Sequence, residues 1–202
     1  MKQNSQEDPN VWMTTKRIET LVDGIFAIAM TLLVLSLNVP HLPYPTTDTA
    51  VLNSLEAMGQ QFFIYFISFL LLASFWRVNH AQFYFIKKTD QTLLWINIIW
   101  LSLIALLPFS TNLIGSYGYL KVPLIFFDLN LFFIGLLFNL NWYYADKKKL
   151  IDENTDPEMI KFQEKYNFAL PLIALIAIGL TFISPEWSSL VYFALFFVRR
   201  VK

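Results

Sequence analysis

The sequence has no cysteine and few charged residues for its length. Of its 202 residues none is Cys, and only 15% are charged, well below the roughly 25% of soluble domains. The lack of Cys excludes disulfides, thiolate metal sites and cysteine nucleophiles. His41 and His80 are the only histidines, too few for a His-based metal site without carboxylate ligands. The formal net charge of zero provides no basic field for nucleic acid, so we expect no metal, no cofactor and no nucleic-acid partner.

Sequence motifs of common enzymes are also missing. The chain has no Walker sequence and no Gly-x-Ser-x-Gly nucleophile elbow. No set of acids, bases and nucleophiles converges along it. We therefore expect that the protein is not an enzyme.

Long apolar runs are abundant instead. Hydrophobic residues make up 56% of the chain, and 20 residues are Phe. A membrane-spanning helix needs about 20 apolar residues. Six apolar segments stand out, of which the first four are near this length and the last two are shorter. They cover about residues 21–39, 57–78, 93–114, 122–144, 168–183 and 187–198. The last two are short, so a hairpin of thin spans and a re-entrant pair both stay open. We predict an all-α integral membrane protein with one six-span domain, residues 1–202, in the lipid bilayer.

The basic residues indicate how the spans are oriented. If all six segments cross, 14 of the 15 basic residues lie on one side, and only Lys121 lies on the other. Cytoplasmic loops carry an excess of Lys and Arg. We therefore predict a multi-pass protein of the cell membrane with both termini in the cytoplasm.

The first span has a distinct stripe when it is drawn as a helix. At 100° per residue, one face carries Gly24, Ile28, Thr31 and Leu35, with Leu32 at its edge. Asp23 points away from that face. Ordinary helix packing explains the stripe, and so does the lining of a pore in an oligomer; the residues alone leave both open.

Polar residues gather near one end of the first three spans. A carboxylate such as Asp23 is costly near the bilayer and needs hydrogen-bond donors. We expect Arg17 and His80 to supply them, with Trp76 packed against the same region. Asn97 in the third span is expected to hydrogen-bond across helices. We group it with Arg17, Asp23, Trp76 and His80 in one structural and gating network.

Asp128 lies in the fourth span, and an intramembrane carboxylate is a functional candidate by default. Together with Asp23 and His80 it leaves an alternative function open, a proton- or cation-coupled secondary transporter. The chain shows no inverted repeat, which many transporters have.

The segment Arg17-x-x-x-Leu21-Val22-Asp23-Gly24 resembles the Arg-x-x-x-Phe-Ser-Asp signature of the endosomal/lysosomal potassium channel family. Leu21 and Val22 replace the Phe and Ser. The resemblance is to the single-repeat prokaryotic members and covers the first three spans. It extends to three further segments: Phe75-Trp76-x-x-x-His80, Asn97 and Leu107-Pro108-Phe109-Ser110.

The resemblance implies a homotetramer whose first helices line a central pore without a carbonyl filter. Its constriction is implied to be apolar, formed by Ile28 and then by Leu32 and Leu35. Such a hydrophobic ring gates by dewetting. Thr31 matches a hydroxyl layer implicated in ion preference. Arg17, Asp23 and His80 are implied to join a network behind the pore helix, and potassium is implied to pass with modest selectivity over other monovalent cations.

Overall fold

The protein is described here by a computed structural model that covers residues 14–195. Apart from one isolated β-bridge, the regular structure of these residues is helical. The helices are α1 (Thr15–Leu32, continued by the 3-10 turn Leu33–Ser36), α2 (Asp48–Ala57), α3 (Gly59–Phe85), α4 (Gln91–Tyr117), α5 (Lys121–Lys147), α6 (Pro157–Asn167), α7 (Ala169–Ile183) and α8 (Pro185–Ser188), followed by the 3-10 turn Ser189–Phe193.

Five helical segments in the described part are long and apolar enough to cross a membrane. They are α1 with its 3-10 turn, α3, α4, α5, and α6 taken together with α7. The first five predicted spans are thereby confirmed as helices. Several helices continue beyond the predicted apolar cores. The helix α3 runs on to Phe85, past the predicted end of the second span, so Arg77 lies well inside this helix.

The predicted sixth span, residues 187–198, falls partly outside the described residues. Its described part contains the end of α8 and the 3-10 turn Ser189–Phe193, and helical residues resume at Ala194. Residues 196–198 lie beyond the described range. A sixth crossing therefore stays a prediction.

Side chains in the loops fix where several helices begin. The Thr47 hydroxyl oxygen accepts the N–H of Ala50 at 3.2 Å before α2. The Asp90 carboxylate accepts the N–H of Leu93 at 2.8 Å before α4. Each contact satisfies a backbone donor that has no partner inside its helix.

A short paired segment ties the end of α3 to the chain that follows α5. Ile86 and Ile151 form an antiparallel bridge. The Leu150 carbonyl accepts the N–H of Lys87 at 2.9 Å, and the N–H of Asp152 donates to the Phe85 carbonyl at 2.9 Å. Near this bridge, the backbone and side-chain N–H groups of Asn154 hold the pKa of the Asp152 carboxyl below its usual value.

Trp100 on α4 lies at the centre of the buried core. Its ring centroid is 5.6 Å from that of Phe26 on α1 and 5.6 Å from that of Phe138 on α5. The helix α1 packs against α3 and α4, and α5 packs between α4 and α7. The core thus holds one side of α1 and leaves its other side uncovered within one chain.

Candidate pore helix and its polar support

The two sides of α1 differ in burial. Five apolar residues of α1 and its 3-10 turn are buried against α3 and α4: Ile18, Val22, Phe26, Ala29 and Leu33. Their spacing of three or four residues follows the helical repeat, so they form one continuous side. This buried side fixes the rotation of α1 about its own axis.

The opposite side of α1 is exposed in the single chain and carries the predicted stripe. We call the following residues the α1 stripe: Gly24, Ile28, Thr31, Leu32 and Leu35, all of which are exposed. The exposed fraction is 57% for Ile28 and 67% for Leu35. The α1 stripe is thus an apolar surface left uncovered on a single chain, where it is available to line a pore, to contact another copy of the chain or to face lipid.

Thr31 is the one hydroxyl of the α1 stripe, and its proton is directed at its own helix. Its Oγ1 lies 2.8 Å from the Ile28 carbonyl oxygen and 3.0 Å from that of Ala27. A hydroxyl has a single proton to donate and two lone pairs that accept. With the proton engaged, the oxygen can present a lone pair to a cation on the exposed side.

Asp23 is bound to α3 by Trp76. The indole Nε1–H of Trp76 donates to Oδ1 of Asp23 at 2.8 Å. The rings of Trp76 and His80 are stacked, with centroids 6.1 Å apart and planes at 18°. A small crevice lined by Glu19, Asn79 and these three residues separates the two helices. The structure therefore brings together Asp23, Trp76 and His80.

The donor to Asp23 differs from the expectation. Among the described residues, no hydrogen bond or ion pair joins Asp23 to Arg17 or to His80. Arg17 lies about a turn and a half before Asp23 on α1, so the two side chains leave the helix in different directions. Trp76 supplies the donor because its long indole reaches α1, and His80 supports the indole by stacking.

Asn97 belongs to a different buried cluster. Its Nδ2 donates to Oδ1 of Asn141 at 2.8 Å, and Nδ2 of Asn141 donates to Oε1 of Gln82 at 3.0 Å. This amide chain joins α4, α5 and α3, in keeping with the predicted bonding across helices. Among the described residues, no hydrogen bond connects this amide chain to Asp23, so Asn97 lies outside the network with Asp23 in which we expected it.

Asp128 also has partners that the sequence did not point to. Its Oδ1 accepts the hydroxyl of Tyr192 at 2.6 Å, and its Oδ2 lies 3.4 Å from the hydroxyl oxygen of Thr181. These groups join α5, α7 and the 3-10 turn after α8. Tyr192 lies 64 residues from Asp128, and no local pattern marks that pairing. Asp128 is thus bonded apart from Asp23 and His80.

Comparison with known proteins identifies the family to which the chain belongs. A potassium channel of Chamaesiphon minutus is 31% identical over 193 residues, which are 90% of this chain and 94% of that protein. The sequence model described as endosomal/lysosomal potassium channel TMEM175 matches residues 17–108. This chain belongs to the TMEM175 family. The family is one of channels and not of enzymes, and the predicted resemblance to it is confirmed.

The fold agrees with this membership. The crystal structure of a lysosomal potassium-selective channel TMEM175 homolog from Chamaesiphon minutus superimposes with a TM-score of 0.80 at 28% identity. The superposition covers 91% of this chain and 95% of that one. The mouse protein named endosomal/lysosomal proton channel TMEM175 is 31% identical over 111 residues, which are 22% of its length. The TMEM175 likeness therefore extends over nearly the whole chain in the bacterial relative.

Proposed function

We propose that the chain is one subunit of a homotetrameric, potassium-permeable cation channel in the cell membrane. The observation that carries the proposal is the α1 stripe, which is exposed on a helix whose other side is firmly buried. Four copies arranged around a symmetry axis bring each stripe residue into a ring. The potassium channel named among the TMEM175 relatives supports the choice of ion.

In this proposal Ile28 forms the narrowest ring, and Leu32 and Leu35 continue the apolar neck. A narrow apolar ring excludes water and therefore ions until it widens. Thr31 lies close to the ring of Ile28, where four hydroxyl oxygens replace part of the hydration shell of an ion. Asp23, Trp76 and His80 hold α1 on α3 and stay outside the ion path.

The proposal includes six spans per subunit, with both termini in the cytoplasm. The loops that carry the basic residues then lie on the cytoplasmic side. The bridge between Ile86 and Ile151 joins two of these loops. A cysteine introduced at either end of the chain and a membrane-impermeant thiol reagent test this orientation. The reagent should label the cysteine in permeabilised cells and not in intact cells.

The test of the pore is Ile28→Asn in proteoliposomes that hold a potassium gradient. A polar ring removes the dewetting barrier, so we expect potassium flux to rise several-fold and the preference over sodium to fall. Ile176→Asn is the matched control, because Ile176 is an exposed isoleucine on α7. Unchanged flux and selectivity in a correctly assembled Ile28→Asn protein would rule out Ile28 as the constriction.

The same vesicles separate a channel from a coupled transporter. A channel dissipates the imposed potassium gradient without any second solute, whereas a transporter needs one. Asp128 is bonded apart from Asp23 and His80, so the three groups do not form one site, which favours the channel. Because the mouse relative is named a proton channel, the assay also records internal pH. Flux that depends strictly on a second solute would replace the channel proposal by the transporter.

A further inference from the structure

A cavity with no α1 residue in its wall takes no part in the proposed pore. It has a volume of about 100 Å³ and lies between α3, α4, α5 and the junction of α6 with α7. Much of its wall is apolar, formed among others by Phe75, Ile134, Phe138 and Leu170. Its polar lining includes Arg77, Trp100 and Asn167.

Two buried N–H donors in this wall have no partner within the described part of the chain. They are Nε1 of Trp100 and Nδ2 of Asn167, and the two residues are only 2% and 4% exposed. A buried donor without an acceptor costs about 1–3 kcal/mol, so such groups normally have a partner. Two of them around one cavity indicate that a ligand supplies acceptors there.

The surrounding contacts fix both donors in place. The indole of Trp100 is held between Phe26 and Phe138. The Oδ1 atom of Asn167 already accepts from Nε2 of Gln163 at 3.0 Å, which leaves the Nδ2 side of the amide for another partner.

The third polar group, Arg77, sets the charge of the ligand. Its guanidinium has donors only and is exposed, and among the described residues no carboxylate forms an ion pair with it. Arg77 lies eight residues before the end of α3, which is about 12 Å along the helix, near the basic end of the bundle. Basic pockets between spans at such a depth bind anionic head groups of lipids.

We propose that this cavity binds the anionic head group of an amphiphile, either a long-chain carboxylate or the phosphate of a lipid. The head group accepts from Trp100, Asn167 and Arg77, and the start of the acyl chain lies against the apolar wall. A cavity of about 100 Å³ is too small for a whole acyl chain, so most of the chain remains in the bilayer. This binding goes beyond the proposed channel function and does not depend on it.

Native mass spectrometry of the full-length protein in neutral detergent tests the proposal. The probes are palmitate, dioleoyl phosphatidic acid, hexadecanol, acetate and inorganic phosphate. We expect palmitate, phosphatidic acid or both to saturate at one per subunit. Hexadecanol lacks the charge, and acetate and phosphate lack the chain, so each should bind at least ten-fold more weakly. Binding of palmitate but not of phosphatidic acid would identify the head group as a carboxylate. Binding of phosphatidic acid but not of palmitate would identify it as a lipid phosphate.

Variants place the binding in the cavity. Trp100→Phe keeps a ring and removes the N–H, and Arg77→Gln removes the charge; each should weaken binding about ten-fold. Ala169→Leu narrows the cavity and should abolish binding, which keeps the test decisive if Trp100→Phe folds poorly. Trp95→Phe and Lys147→Gln are the controls, because neither residue lines the cavity.

Three results would overturn the proposal. The first is that no probe binds in a saturable way, which would leave water as the partner of the two donors. The second is equal binding of hexadecanol and palmitate, which would mean that lipid adheres without recognition of its head group. The third is unchanged affinity in the folded Arg77→Gln and Ala169→Leu variants. Since binding is measured by mass, these results leave the channel proposal untouched.

Discussion

Thr31 and Asp23 are both polar, both exposed and only eight positions apart on α1, yet their bonds differ. Thr31 donates back to its own helix, whereas Asp23 accepts from α3. The first contact leaves an oxygen lone pair on the stripe. The second contact fastens the helix to its neighbour. Single residues on α1 therefore divide into those proposed to meet the ion and those that hold this helix on α3.

Thr31→Val should lower the potassium-to-sodium permeability ratio, measured from reversal potentials across planar bilayers. Valine has nearly the shape of threonine but no oxygen to replace water around an ion. We expect a change of a few-fold with assembly unaltered. Ser102→Ala is the control, because Ser102 is exposed on α4 and donates to its own helix at 2.7 Å. An unaltered ratio in Thr31→Val would assign Thr31 to packing.

Trp76→Phe should weaken the attachment of α1 to α3 while it leaves ion preference nearly unchanged. It removes the donor to Asp23 and keeps a ring for His80, and a hydrogen bond to a charged group contributes about 1.5–3 kcal/mol. Thermal unfolding in detergent and open probability measure the effect.

Trp95→Phe is the control for this change, since Trp95 is an exposed tryptophan on α4. Asp23→Asn keeps an acceptor for the indole and should be milder than Asp23→Ala. A shift of ion preference in Asp23→Asn, with normal assembly and open probability, would place the carboxylate in the ion path.

At the scale of elements, the helices α5 and α7 are in close contact where Gly135 meets the first turn of α7. A Cβ atom added at Gly135 would lie 2.6 Å from Cδ of Pro171 and 3.0 Å from its nitrogen. Small residues permit such approaches between spans. The absence of a side chain at one position therefore sets how α7 packs.

Gly135→Ala should destabilise the protein by about 1–3 kcal/mol, because the proline ring and the α7 backbone must shift. Gly179→Ala is the matched control: it lies in α7 with no atom within 4 Å of an added Cβ. Alanine there should be neutral or should stabilise by up to about 1 kcal/mol, because glycine is the poorer helix former. Thermal unfolding of both variants in one detergent checks the pair, and equal effects would contradict the close contact.

At the scale of the whole molecule, a single chain presents one α1 stripe and cannot surround a pore with it. The proposal therefore requires several copies in a closed ring. We expect a particle of four times the 23.6 kDa of one chain, measured by native mass spectrometry and by crosslinking in the native membrane. A monomer or dimer by both methods would exclude the pore as proposed.

Periodicity and composition were sufficient for the membrane class, the first five helical spans and the exposed stripe on α1. These properties are local: a run of about 20 apolar residues and a repeat of 3.6 residues are visible in the sequence alone. Arg17, Asp23 and Gly24 also carried the family resemblance. Boundaries were less exact, because α1 and α3 extend past their apolar cores.

The hydrogen-bonded pairs of polar side chains could be identified only from the tertiary structure. Trp76 meets Asp23 across 53 positions, Asn141 meets Asn97 across 44, and Tyr192 meets Asp128 across 64. Each side chain had several partners of suitable chemistry, and only the packing of the helices selects one. The cavity with its two unpartnered donors depends on five helices at once. Local pattern therefore determines which segments form helices, and their mutual packing determines which side chains meet.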